Sequence, residues 1–114
     1  MTIHAELAGG RWSTLSLAQQ LAHVGSEVER AIRARETRRA DRFERALERA
    51  LELFALTARD ERWRGHRRRE ILRTREEFLR LFFDEPPPND SAPGLRSYFL
   101  HFGLLARRPL HQRP

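Results

Sequence analysis

This 114-residue chain contains no cysteine. That excludes disulfides, thiolate nucleophiles and cysteine-based zinc fingers, and it fits a reducing compartment. Lysine is missing too: all 22 basic residues are arginine, against 16 acids, for a net charge of +6. GC-rich codon usage is sufficient to explain the missing lysine. No apolar run approaches the roughly 20 residues that span a bilayer. The opening MTIHAELAGG has neither the basic region nor the apolar region of a signal peptide. A cytoplasmic protein with no membrane partner is the expectation. From Arg11 to Glu85 there is no proline, and the only glycines are Gly25 and Gly65. Gly-rich phosphate loops, Gly-x-Ser-x-Gly elbows, Glu-x-x-His pairs and His-x-x-x-His pairs are all absent. His23 with Glu27, and His66 with Glu70, have i,i+4 spacing, but a bundle di-metal site needs further inward carboxylates. No metal site and no cofactor is expected.

What remains is helical periodicity. Leu17, Leu21, Val24, Val28 and Ile32 step by four, three, four and four, one apolar stripe on a first helix. Ser16 and Gln19 have capping-box spacing at its start. Gly25 lies beside the stripe, where a helix-interior glycine costs about 1 kcal/mol against alanine; close approach by a neighbouring helix or side chain is the expected compensation. Glu29 and Arg33 form an i,i+4 pair. The stripe lapses near 35–40, where a turn is expected although no glycine or proline marks it. A second helix carries Phe43, Leu47, Ala50, Leu51, Phe54 and Ala58, with Leu53 and Leu56 as a further apolar strip. A break at 57–61 follows, with Asp60 as N-cap. A third helix is expected from about Arg62 to Phe83, with Trp63, Ile71, Leu72, Phe78, Leu79, Phe82 and Phe83 as its stripe. Pro86-Pro87-Pro88 ends it. A fourth helix, capped by Ser91 with Pro93 in its first turn, carries Leu95, Tyr98, Phe99, Phe102, Leu105 and Ala106 until Pro109.

The fold class expected is all-α: a single domain over 1–114, folded as an antiparallel up-down four-helix bundle. Residues 1–12 read as an N-terminal arm and 109–114 as a flexible tail. A three-helix core with a peripheral fourth helix is the alternative. A domain of this length buries roughly 65% of its chain's surface, enough for one core.

Charge is unevenly distributed. Residues 59–83 hold nine arginines against five acids, whereas 1–58 hold nine against eight. Arg62, His66, Arg69, Arg73 and Arg80 step along one face of the third helix, with Arg59, Arg64, Arg67, Arg68 and Arg75 around them and Trp63 beside them. Spaced guanidiniums suit a phosphate backbone, and an adjacent tryptophan suits a base. The same run also reads as a solvated helix face balanced by neighbouring glutamates. The candidate nucleic-acid contacts are Arg62, Trp63, His66, Arg69, Arg73 and Arg80, with RNA or DNA as partner. The second strip on helix 2, with Leu81 and Leu104, exceeds the needs of one core, so a homo-oligomer or a protein partner is expected as well.

Together the strings LSLAQQLAHVGSEVERAIRARE (15–36), RFERALERALELFALT (42–57), RREILRTREEFLRLFF (68–83) and YFLHFGLLARR (98–108) resemble an uncharacterised family of small bacterial helical-bundle proteins. More distantly, the layout is similar to two groups of four-helix bundles. One is the HEPN group, many of them RNA-cutting toxins; the other is related to the ribosomal intervening-sequence protein. The resemblance implies a shared bundle fold. It also implies a catalytic alternative. HEPN ribonucleases carry an arginine, four to six residues, then a histidine on their final core helix, and Arg96-Ser-Tyr-Phe-Leu-His101 fits that spacing. There Arg96 would hold the scissile phosphate and His101 would move protons. At i,i+5 the two side chains do not share a helix face cleanly. A non-enzymatic helical binding protein is the favoured expectation, with a protein-interaction subunit and an RNA-cutting enzyme as alternatives.

Overall fold

The computed structural model describes residues 10–84 and 91–107, the side chain of Ser91 excepted. The expected arm over 1–9, the triple-proline connection, the Ser91 cap and the tail over 109–114 lie outside the described residues. Four helices form: α1 (Leu17–Glu36), α2 (Ala40–Arg59), α3 (His66–Phe83) and α4 (Ser91–Ala106). Two 3-10 turns, Trp12–Thr14 and Glu61–Trp63, precede α1 and α3. No strand occurs among the described residues. α1 packs on α2 and α4, and α3 packs on the same two, so the helices enclose one core as in a bundle.

α1 starts with the expected capping box: the Gln19 N–H donates to Ser16 Oγ at 3.1 Å and the Ser16 N–H donates to Gln19 Oε1 at 2.9 Å. Its stripe is buried at Leu21, Val24, Val28, Ala31 and Ile32. The helix closes without glycine or proline. The Arg39 N–H reaches Ala34 O at 2.8 Å and the Arg38 N–H reaches Arg35 O at 3.2 Å, a Schellman closure with Arg38 at φ 55°. A non-glycine residue there costs roughly 1–2 kcal/mol, but the turn needs only three residues before α2 begins.

Gly25 meets its expectation. A Cβ on it would stand 2.7 Å from Phe99 Cβ and 2.9 Å from Phe99 Cγ, so α4 approaches α1 through the missing side chain. Phe54 and Phe78, both fully buried, form the centre with Phe99: ring centroids lie 5.8 Å apart for Phe54–Phe78 and 6.2 Å for Phe54–Phe99. Burying each such ring stabilises the fold by about 2–3 kcal/mol.

Several expectations need correction. Leu53 of the supposed second strip is 1% exposed and belongs to the core, and Leu56 packs against it. Leu47 and Phe82 are only half-buried. Leu72 and Phe83 are exposed, so the α3 stripe is narrower than its apolar residues suggested. Trp12, placed at the end of the arm, is 4% exposed and inside the core cluster, because a large ring gains more from burial than a short segment loses in freedom. The third helix begins at His66, not Arg62. Gly65 sits at φ 81°, a conformation that breaks the helical path and leaves Arg62 and Trp63 on a separate turn.

Candidate functional site

The joint between α2 and α3 is built around Gln20, which is fully buried on α1. Its Nε2 donates to Trp12 O at 2.8 Å and to Asp60 Oδ2 at 2.9 Å, and its Oε1 accepts from Trp63 Nε1 at 2.7 Å. Both amide hydrogens and the carbonyl are thereby used. Asp60 caps the 3-10 turn through the Arg62 N–H at 3.0 Å. It also takes Arg62 Nε at 3.1 Å and Nη2 at 2.8 Å in a two-pronged pair. These Arg62 contacts hold the Asp60 carboxyl down to about 2 from its ordinary 3.8, assisted by Gln20 and opposed by burial. The same Nη2 reaches Leu15 O at 2.6 Å, and the guanidinium covers the Trp63 ring at 4.4 Å.

Those contacts change the meaning of the expected nucleic-acid residues. Arg62 is a clamp between chain segments, and Trp63 is half-buried with a ring face occupied by Arg62. Most of the surrounding arginines are engaged as well. Arg64 pairs with Glu61 at 3.3 Å, Arg67 with Glu70 at 3.8 Å, Arg75 with Glu76 at 3.0 Å and Arg80 with Asp84 at 2.8 Å. Arg68 Nε donates to Ala58 O at 2.6 Å, satisfying the last turn of α2. His66 stands 3.8 Å from Glu70 and is exposed. Arg69 and Arg73 alone of the expected set are exposed without an ion pair among the described residues.

The stronger basic feature lies between α1 and α2. A groove of about 510 Å³ between α1 and α2 is lined by Arg30, Arg33, Arg39, Arg42, Arg45 and Arg49, with Ala34, Thr37 and Ala46 between them. Arg42, Arg45 and Arg49 step by three and four along α2, and Arg30 and Arg33 face them from α1. Among the described residues, one carboxylate pairs with any of them. Glu27, 7% exposed, takes Arg30 on one oxygen and has Arg49 3.5 Å from the other. That second oxygen is buried and accepts no hydrogen bond. Arg33, Arg39, Arg42 and Arg45 make no ion pair with any described residue. Counting charge by segment concealed this groove, because Asp41, Glu44 and Glu48 cancel the total from an adjacent face of α2. The arginine spacing across two helices was the signal available.

The two residues of the catalytic alternative are not brought together. Arg96 lines a hollow between α1 and α4, with Nε on Glu29 Oε2 at 2.8 Å and Nη2 on Glu36 Oε1 at 3.2 Å. Glu29 therefore serves Arg96 and not the expected Arg33. His101 lines a different hollow, with Trp63, Arg67 and Phe102. Tyr98, next in sequence but one to Arg96, donates from its hydroxyl to Glu70 Oε1 at 3.0 Å; burial and then the Glu70 charge push its phenol up to about 12. No group of three or more His, Asp or Glu residues able to hold a metal occurs among the described residues. Nor is any of their helices long and apolar enough to cross a membrane. No protein-family model, no curated protein and no solved structure matches this chain.

Proposed function

We propose that this protein is a non-enzymatic helical binding protein that grips the phosphate backbone of nucleic acid in the α1–α2 groove. The observation that carries the reading is the pairing imbalance: six guanidiniums line one concavity and, among the described residues, four of them have no carboxylate and only Glu27 answers the other two. Four fixed cations in a concave wall raise the local concentration of polyanions and hold phosphates by bidentate hydrogen bonds. From Arg42 to Arg49 is about 10 Å along the helix axis, which spans roughly three phosphates of a stacked strand. The α3 arginines favoured by the sequence supply less, since only Arg69 and Arg73 remain open.

An antiparallel up-down order of the four helices goes with this reading. A link of three residues between α1 and α2, together with the Glu27–Arg49 contact seven or more residues from either side of it, supports antiparallel neighbours. In that order the groove runs along both helices from their shared turn. Binding is favoured over cleavage because Arg96, the phosphate holder of the ribonuclease alternative, is occupied by two carboxylates.

The test is salt-dependent binding of fluorescent oligonucleotides. With four arginines engaged, log affinity for a single strand falls with log salt at a slope of about −2.8, at roughly −0.7 per phosphate. Replacing Arg33, Arg42 and Arg45 with glutamine reduces that slope by about 2, while replacing Arg69 and Arg73 leaves it within about half a unit. The opposite ranking of the two variants would return the interface to α3.

A further inference from the structure

The α1–α2 groove does not end at α1. Arg30 and Arg33, which form its α1 wall, also line the second hollow of about 590 Å³ between α1 and α4. The chemistry changes across that ridge. Among the described residues the first groove is lined by arginine, alanine and threonine only, with no aromatic ring and no large apolar side chain. The second adds Phe99, Leu100 and Gly103 to its arginines. Leu100 is 62% exposed, so its side chain offers an apolar face to whatever enters the hollow. Gly103 leaves its wall open: no atom stands within 4 Å of the place a Cβ would take. Arg96, in the same hollow, has its guanidinium fixed by Glu29 and Glu36, so its charge is met and its planar face is held in one orientation.

We infer that the ligand is single-stranded nucleic acid whose backbone crosses α1 on Arg30 and Arg33, with phosphates in the α1–α2 groove and an unpaired base in the α1–α4 hollow. This rests on the phosphate-binding reading above and adds the form of nucleic acid taken. A duplex keeps its bases stacked inside a stiff rod with a persistence length of about 150 base pairs. It can lay phosphates along one groove but cannot bend over a single helix and offer a base to the far side. A single strand bends freely, and its bases have faces to bury. An apolar patch beside a fixed guanidinium plane is the surface on which unstacked bases settle. Of the hollow's polar side chains, Ser26 donates to Ala22 O and Arg96 and Glu29 are spent on each other, so the base is taken for its face and every base is accepted.

Binding of the whole protein to a labelled 12-nucleotide oligo-dT, a 12-nucleotide oligo-U and a 12-base-pair DNA duplex, at 50 mM salt, tests the path. The two single strands bind about tenfold or more tighter than the duplex. Gly103→Gln fills the open wall with a neutral side chain, and Leu100→Ala removes the exposed apolar face. Each weakens single-strand affinity about fivefold to tenfold, in the range of one stacked base, and leaves duplex affinity within twofold. Far-ultraviolet circular dichroism confirms that both variants remain helical. A duplex that binds as tightly as the single strands would overturn the path. So would variants that weaken both forms alike, or leave single-strand binding unchanged. In those cases the groove reading survives if the Arg33, Arg42 and Arg45 replacements still flatten the salt slope. No binding of any of the three probes overturns both.

Discussion

Replacing Asp60 with asparagine isolates the charge at the joint between α2 and α3. Asp60 has a side chain only 6% exposed and accepts from Arg62 three times and from Gln20 once. Its folded carboxyl is held down to about 2, against 3.8 when unperturbed. A depressed carboxyl stabilises the fold above its unfolded value and loses that contribution as pH falls through its folded value. Over this interval the charge contributes about 2 kcal/mol at pH 7, about 1 kcal/mol at pH 3, and less than about half a kcal/mol at pH 2. Asp60→Asn keeps the size and one acceptor but not the charge. Urea unfolding followed by circular dichroism, run on both proteins at pH 7, 3 and 2, reads the difference directly. Carboxylates elsewhere titrate in both proteins and cancel. The gap between the two is about 2 kcal/mol at pH 7 and nearly closes at pH 2. A gap that stays constant across this range would refute the argument, since the mutation would then act through packing and not through the ion pair.

Gly25→Ala places a methyl group 2.7 Å from Phe99 Cβ, close to the α4 backbone where little can yield. Overpacking of about 1–3 kcal/mol, offset by about 1 kcal/mol of helix propensity, leaves a net loss of up to about 2 kcal/mol in urea unfolding; a gain in stability would mean that α4 does not approach α1 there. Glu27→Gln removes the one described carboxylate paired with arginines of the α1–α2 groove, at nearly constant shape, and releases Arg30 and Arg49. Oligonucleotide affinity at 50 mM salt rises on the order of fivefold and the salt slope steepens by about 1, and weaker binding in the anisotropy titration would count against the groove.

The fold was legible where local rules act alone. The stripe from Leu17 to Ile32, the Ser16–Gln19 box and the notch at Gly25 follow from helical spacing and from glycine's missing side chain, and each has its expected counterpart. The start of α3 was not legible, because Arg62 and Trp63 continue a helical pattern that only the conformation of Gly65 interrupts. Trp12 was misassigned for a related reason: its burial depends on Gln20 and on α1, which a short aperiodic segment does not reveal. The site was less legible than the fold. The arginines from Arg62 to Arg80 look alike in sequence whether they are open, as Arg69 and Arg73 are, or engaged, as Arg62, Arg68 and Arg80 are. The distinction is made by partners on other elements and by backbone carbonyls. The α1–α2 groove is assembled from two half-patterns, Arg30–Arg33 and Arg42–Arg45–Arg49, which acquire meaning only when the Schellman turn at Arg38 folds one onto the other.

A groove whose cations are all arginine has a consequence for how cells could modulate it. Acetylation, the common enzymatic route for erasing a positive charge, acts on lysine, and this chain has none. Methylation of arginine keeps the charge and only blocks its paired hydrogen bonds. Guanidiniums stay protonated at any physiological pH, and no histidine is among the described residues that line the groove. Its positive charge is therefore open to adjustment by ionic strength and by competing polyanions but closed to acetyltransferases and to acidification over the physiological range.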